Sequence, residues 1–352
     1  MSYRIALILP ILLMLAGCQA DNRGQQVSAQ DDGTTAAFRL LTKSSHWQLT
    51  AAIEMDFPTF HTQGLVKIGD IFYVSAVEII EKTETYARTD NLWDFSLTRT
   101  AGKGRGWLFK FDGEGRMLGK VELTRGDAFH PGGMDFDGRY IWVPVAEYRP
   151  NSASNIYRVD PVTMEAELSF RVKDHIGNIL HNTARDTFHG SSWGARRMYE
   201  WHVRFDHSGQ GVITREKWSP NPVHYIDYQD CQYSGVNYMF CGGLQKYDTP
   251  LGKVALGGID LIDISGDQPV PVHMLPIAQY WDGGDDAKVA SSHPADAELV
   301  VSNNPFWVEE IADRPVTEAG TKIMRIYFMP DKDNRSRLLI YDVAVPFLPD
   351  SG

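Results

Sequence analysis

The sequence predicts an all-β fold, a single β-propeller of five blades. Three observations carry that expectation. No long stretch shows the i, i+3, i+4 apolar spacing of an amphipathic helix; short β-rich runs alternate instead with Gly, Asp, Asn and Pro turns. One pattern recurs, an alternating apolar strand that mostly ends at Asp. The last copy lacks the strand that follows the others, while a spare strand stands at the front of the domain.

The copies read Trp107-Leu-Phe-Lys-Phe-Asp112, Ile156-Tyr-Arg-Val-Asp160, Ile259-Asp-Leu-Ile-Asp263 and Leu338-Leu-Ile-Tyr-Asp342, with a weaker one at Arg197-Met-Tyr-Glu-Trp201. A turn and a further strand follow at Met117–Leu123, Glu165–Val172, Val212–Trp218 and Val270–Pro276. After Asp342 the chain runs out in VAVPFLPDSG, so Trp47–Ile53 is the strand expected to close the ring. Closure leaves only short edges, which favours a propeller over an open sandwich. Inner strands are expected to begin near His61, His130, Ile176, His224 and Leu299. The interval from Asp263 to Leu338 has room for a sixth blade or an insertion. The charged, turn-forming composition of 306–320 favours the insertion.

The N-terminal region has its own organisation. Arg4 precedes an apolar run from Ile5 to Ala16, too short for a spanning helix, which needs about 20 residues, and suited to a signal peptide over 1–17. Leu15-Ala16-Gly17-Cys18 resembles the bacterial lipobox, which implies acylation of Cys18 and attachment to a membrane by lipid. Gln19, where an aspartate would resemble the inner-membrane retention signal, directs the expectation to the outer membrane, facing the periplasm. Residues 18–43, rich in Gln, Asp, Gly, Thr and Ala, read as a flexible tether. The propeller is expected over 44–349.

The formal charge is −11, and no Lys/Arg cluster is present, which argues against nucleic acid as a partner. Cys231 and Cys241 flank the turn-like Ser234-Gly235-Val236-Asn237, and a hairpin there sets them opposite each other. In an oxidising periplasm such a pair persists as a disulfide; two free buried thiols are the alternative.

Phe60-His-Thr-Gln-Gly-Leu65 resembles the opening motif of the plant and bacterial glutaminyl cyclotransferases, five-bladed propellers. The likeness covers about 20 residues and implies the fold rather than the reaction, because the surroundings of Glu78 differ from that family's acidic motif. A wider likeness, over most of the mature chain, is to a family of secreted propellers defined only as a domain of unknown function. His130-Pro-Gly-Gly-Met-Asp-Phe-Asp-Gly138, Val143-Pro-Val-Ala-Glu-Tyr-Arg-Pro-Asn-Ser152 and Asp227-Tyr-Gln-Asp-Cys231 carry it.

Inner strands of a propeller share one axis, so polar residues distant in sequence converge there. The strands in question carry His61 and Gln63, His130, His175 and His181, His224 with Asp227 and Asp230, and His293 with Asn303 and Asn304. His61, Gln63, Glu78, His130, Glu147 and Asp230 are the candidates for catalysis. His181, Arg149, Trp193, Arg197 and Tyr233 are the candidates for ligand contact. His61, Gln63, His130, His181 and Asp230 are expected at one end of the channel, with Glu147 and Arg149 at its rim. Glu147 alternatively pairs with Arg149 or Arg197, and axial His and Asn alternatively satisfy backbone groups and water. Trp142 is expected in blade packing. Several histidines at one axis admit a metal ion, although no HxH, HExxH or CxxC spacing is present; any cofactor is left open. The partners expected are a small molecule and the membrane, with a protein partner the alternative. A hydrolase, lyase or cyclotransferase-like activity and a purely binding role both fit.

Overall fold

The computed structural model describes residues 31–346, apart from 88–97, 224, 236, 251, 282–297, 301–304, 312–321 and 332–334. The signal peptide, Cys18, His224, His293, Asn303 and Asn304 lie outside the described residues. The strands form five blades, each a meander of antiparallel strands from the axis outwards. The inner strands are His61–Ile68, Ala128–Pro131 continued by Asp135–Phe136, Ile176–Asn182, Asp227–Ser234 and Phe306–Ile311. Trp47–Glu54 pairs antiparallel with Arg337–Ala344 and is the outermost strand of blade five, so the N-terminal strand closes the ring as expected.

Alternation along the strands explains the packing. In Ile141–Glu147, the second strand of blade two, and in the inner strand Ile176–Asn182 both faces are largely buried, because neighbouring blades cover them. Five buried apolar clusters result, one at each blade–blade interface. The cluster between blades two and three holds Trp142, Ile156, Phe170, Phe188 and Trp201. The one that seals blade five to blade one holds Phe57, Leu65, Phe111, Tyr327 and Leu338. Together they seal the ring with five blades and leave no interface for a sixth among the described residues.

Three expectations need correction. Leu299 does not open an inner strand; it pairs with Tyr280 in a two-stranded ribbon, and blade five opens at Phe306. The acidic pair that made 306–320 look like an insertion is partnered. Glu309 bonds to Lys67 and Tyr327, and Glu310 to Lys322. Part of the stretch expected as a tether, residues 31–41, is also docked on the propeller. Asp31–Phe38 is a helix, and Ala37, Phe38 and Leu41 are buried in the cluster between blades four and five. Phe38 packs on Phe240 with ring centroids 4.7 Å apart, and Thr35 Oγ1 lies 2.7 Å from Ser234 Oγ. Ala37, Phe38 and Leu41, with Leu40 packed beside them, carry the apolar contact of this segment.

Candidate functional site

The axis is closed in its middle. A Cβ on Gly132 would run into the carbonyl of Gly177, and one on Gly133 would come within 2.5 Å of Asp230 Cα, so glycine allows these inner strands to meet backbone to backbone. Gly133 N donates to Gly177 O at 2.8 Å, and Ile179 N to Gly133 O at 3.2 Å. Asp230 reaches across this closure. Its carboxyl accepts from Leu65 N at 3.0 Å, Met134 N at 3.1 Å and Phe306 N at 3.3 Å, tying blade four to blades one, two and five. Burial pushes its carboxyl well above the usual carboxylate range against those three donors. Gln232 repeats the device below it, donating to Val308 O and accepting from Val308 N, each at 2.9 Å. Cys231, between the two, is disulfide-bonded to its cross-strand partner Cys241.

The inner strands all start at one end of the axis, and a cluster of rings surrounds that end. His61 and His130 centroids are 6.0 Å apart, and His130 and His175 are 5.9 Å apart. Tyr148 stacks on His130 at 4.3 Å, and Trp193 meets His175 edge-on at 4.7 Å. The Arg99 guanidinium lies 4.8 Å from the Tyr148 ring and 5.4 Å from that of Trp193. His61 Nδ1 is 2.6 Å from Asp331 Oδ2, and its Nε2 is 2.7 Å from Gln63 Nε2. If Asp331 accepts from Nδ1–H, Nε2 is left with the lone pair that the Gln63 amide uses. His175 Nδ1 is 2.9 Å from the carbonyl of Glu147, and Glu147 pairs with Arg149 at the rim.

Charge here is set by burial and by neighbours. His130 is held neutral, its pKa pushed well below the ordinary value by burial and then by the charges of His175, His61 and Arg99. Burial lowers His175 to about 4. Two polar atoms at this mouth, His130 Nε2 and Arg99 Nε, are buried with no hydrogen-bond partner. Beyond Trp193 a cleft of about 150 Å³ opens, lined by Pro150, Trp218 and the paired Arg197. Among the described residues, no group of three or more His, Cys, Asp or Glu is placed to hold a metal ion.

The mouth thus gathers His61, Gln63, His130 and Trp193, with Glu147 and Arg149 on its rim. Asp230 does not join it. Three residues into its strand, it lies about 10 Å along the axis from the strand's start and serves the backbone. His181 does not join either, because it sits near the far end of its strand. There it bonds to Asp137 at 2.9 Å and stacks on Phe188 at 4.3 Å, beside Trp142. Tyr233 is also at the far end, its hydroxyl donating to Asn182 Oδ1 at 3.0 Å. Glu78 accepts from Trp107 Nε1 at 3.0 Å and forms an ion pair with Arg105 on its own blade. Arg197 is paired with Asp174 at 2.8 Å. Sequence reasoning missed Arg99, Tyr148 and Asp331. Tyr148 stood in view between Glu147 and Arg149; Arg99 and Asp331 belong to connections outside the repeated strands and carry no signal.

A family model described as a family of unknown function (DUF6454) matches residues 27–346. The chain belongs to this family. No curated protein matches it. Among solved structures, it is similar to the tail fibre of Staphylococcus aureus phage P68, at 7% identity and TM-score 0.46, covering 89% of this chain and 56% of the fibre. It spans little more than half the length of that protein. It is also similar to a luciferin-regenerating enzyme, at 9% identity and TM-score 0.41, covering 86% of this chain and 98% of the enzyme. A third likeness is to the β-propeller domain of the Trilobed protease from Pyrococcus furiosus, at 12% identity and TM-score 0.32, covering 81% of this chain and 83% of that domain. Likenesses this remote carry no argument about function. The site must be read from its own residues.

Proposed function

We propose that the protein binds a small molecule at the histidine-lined mouth of the propeller, and that lipid on Cys18 holds it on the periplasmic face of the outer membrane. One observation carries the first half. Among the described residues, the mouth sets a cluster of rings around a buried, unpartnered imidazole nitrogen, whereas Asp230 and Gln232, farther along the axis, are used by the backbone. A buried polar atom without a partner costs free energy that a ligand would recover. The lipobox-like Leu15-Ala16-Gly17-Cys18 supports the second half. The helix Asp31–Phe38 bonds to Ser234, at the end of its inner strand, so the described chain begins away from the mouth. On this reading the mouth faces away from the anchoring membrane.

A catalytic reading draws on the Asp331–His61 pair, in which a carboxylate orients an imidazole as it does for a general base. Gln63 occupies the nitrogen that would take the proton, so binding is the reading the geometry favours. The test is a fragment panel with neutral, anionic and cationic members, screened by crystallography and by Trp fluorescence. Binding should map to Trp193, Tyr148 and His130. A panel with no binder at this mouth would refute the reading. Palmitate labelling lost in Cys18→Ser tests the anchor, and an unlabelled wild type would refute it.

A further inference from the structure

The observations go one step further, to the charge of the ligand, on the assumption that the mouth is a ligand site. We infer that it takes an organic acid or phosphate, with an anionic oxygen group on the Arg99 guanidinium and a second polar group on His130 Nε2. The other arginines at this rim already have acids, Arg149 with Glu147, Arg196 with Asp227 and Arg197 with Asp174. Arg99 has no ion pair among the described residues. It rests instead on two aromatic rings, Tyr148 and Trp193, which fix the guanidinium plane without neutralising it. Its Nε is buried and unpartnered, so at least one donor of the planar fork is unused.

His130 offers the second contact from the far side of the same chemistry. It is 6% exposed, stacked on Tyr148, and its Nε2 has no partner. Because burial keeps the ring neutral, Nε2 can donate to an anion or accept from a hydroxyl according to tautomer. The acids nearest the mouth are already bonded, Asp331 to His61 and Glu147 to Arg149. Arg99 is thus a cation at the mouth with no ion pair among the described residues, although the chain as a whole is acidic, with a formal charge of −11.

The experiment titrates acetate, succinate, citrate and inorganic phosphate separately against the full chain in detergent at constant ionic strength. It follows the imidazole resonances of His130 and His175 and the fluorescence of Trp193. At least one anion should give saturable shifts, and the panel separates carboxylate from phosphate. Arg99→Gln should weaken that binding by about tenfold or more, since a charge-assisted bond is lost, with Arg99→Lys in between. His130→Phe should weaken it less, by removing one contact and keeping the ring. No saturable anion, or an affinity unchanged by Arg99→Gln, would overturn the inference. An uncharged fragment bound at the mouth while all four anions fail would overturn it too, and would leave the binding site itself standing.

Discussion

His130 and Asp230 are both buried polar residues on inner strands, 6% and 1% exposed, yet they are treated in opposite ways. Asp230 sits where the strands meet and takes three backbone N–H groups from three other blades. His130 sits where the strands begin, and its Nε2 takes nothing. The difference separates two uses of polarity along one axis. In mid-axis a side chain replaces the ladder bonds that inner strands of different blades cannot all make with one another. At the mouth a side chain is left with bonding capacity that the fold does not consume, which is the condition for recognising something else.

The comparison is most easily broken at Asp230. Asp230→Ala would strand three buried N–H groups at about 1–3 kcal/mol each, a loss of roughly 4 kcal/mol or more. Guanidinium unfolding near neutral pH measures it, and a loss under about 1 kcal/mol would mean the carboxyl is not holding the blades. This reverses the sequence-based expectation that Asp230 is a candidate for catalysis at one end of the channel. A smaller effect sharpens the other pole. His175 binds its proton less readily folded than unfolded, so below about pH 6.5 the unfolded chain takes up more protons and stability falls with pH, down to about 4. His175→Gln, which keeps a donor for the carbonyl of Glu147, should lack that loss. Relative to the variant, wild type should lose about 2 kcal/mol between pH 7.5 and pH 5. Parallel pH profiles would show that the mouth does not hold this imidazole neutral.

Much of this axis was legible in the sequence, for physical reasons. The displaced strand Trp47–Ile53 and the repeats ending at Asp are products of ring closure, and the cysteine pair follows from a hairpin register. His61, Gln63 and His130 were found together because each lies near the start of its inner strand. His181 and Asp230 were placed with them wrongly. An inner strand runs the length of the axis, and position along it decides between mouth, middle and far end. Phe306–Ile311 was hidden because Glu309 and Glu310 find cross-strand cations that no local pattern reveals. Arg99 and Asp331 come to the mouth on connections whose course only the assembled ring determines.

The smallest expected change is the most direct test of the central claim, that His130 is placed for a ligand rather than for the fold. His130→Phe keeps a ring to stack on Tyr148 and removes both nitrogens, the unpartnered Nε2 and Nδ1, so no bond to another residue is lost. Deleting an unsatisfied buried polar atom is neutral or stabilising. The thermal midpoint of the ligand-free protein should therefore stay within about 2 °C of wild type, or rise. A fall of more than about 4 °C, equivalent to the loss of a structural hydrogen bond or more, would contradict the account, because it would mean the fold already uses the imidazole assigned to the ligand.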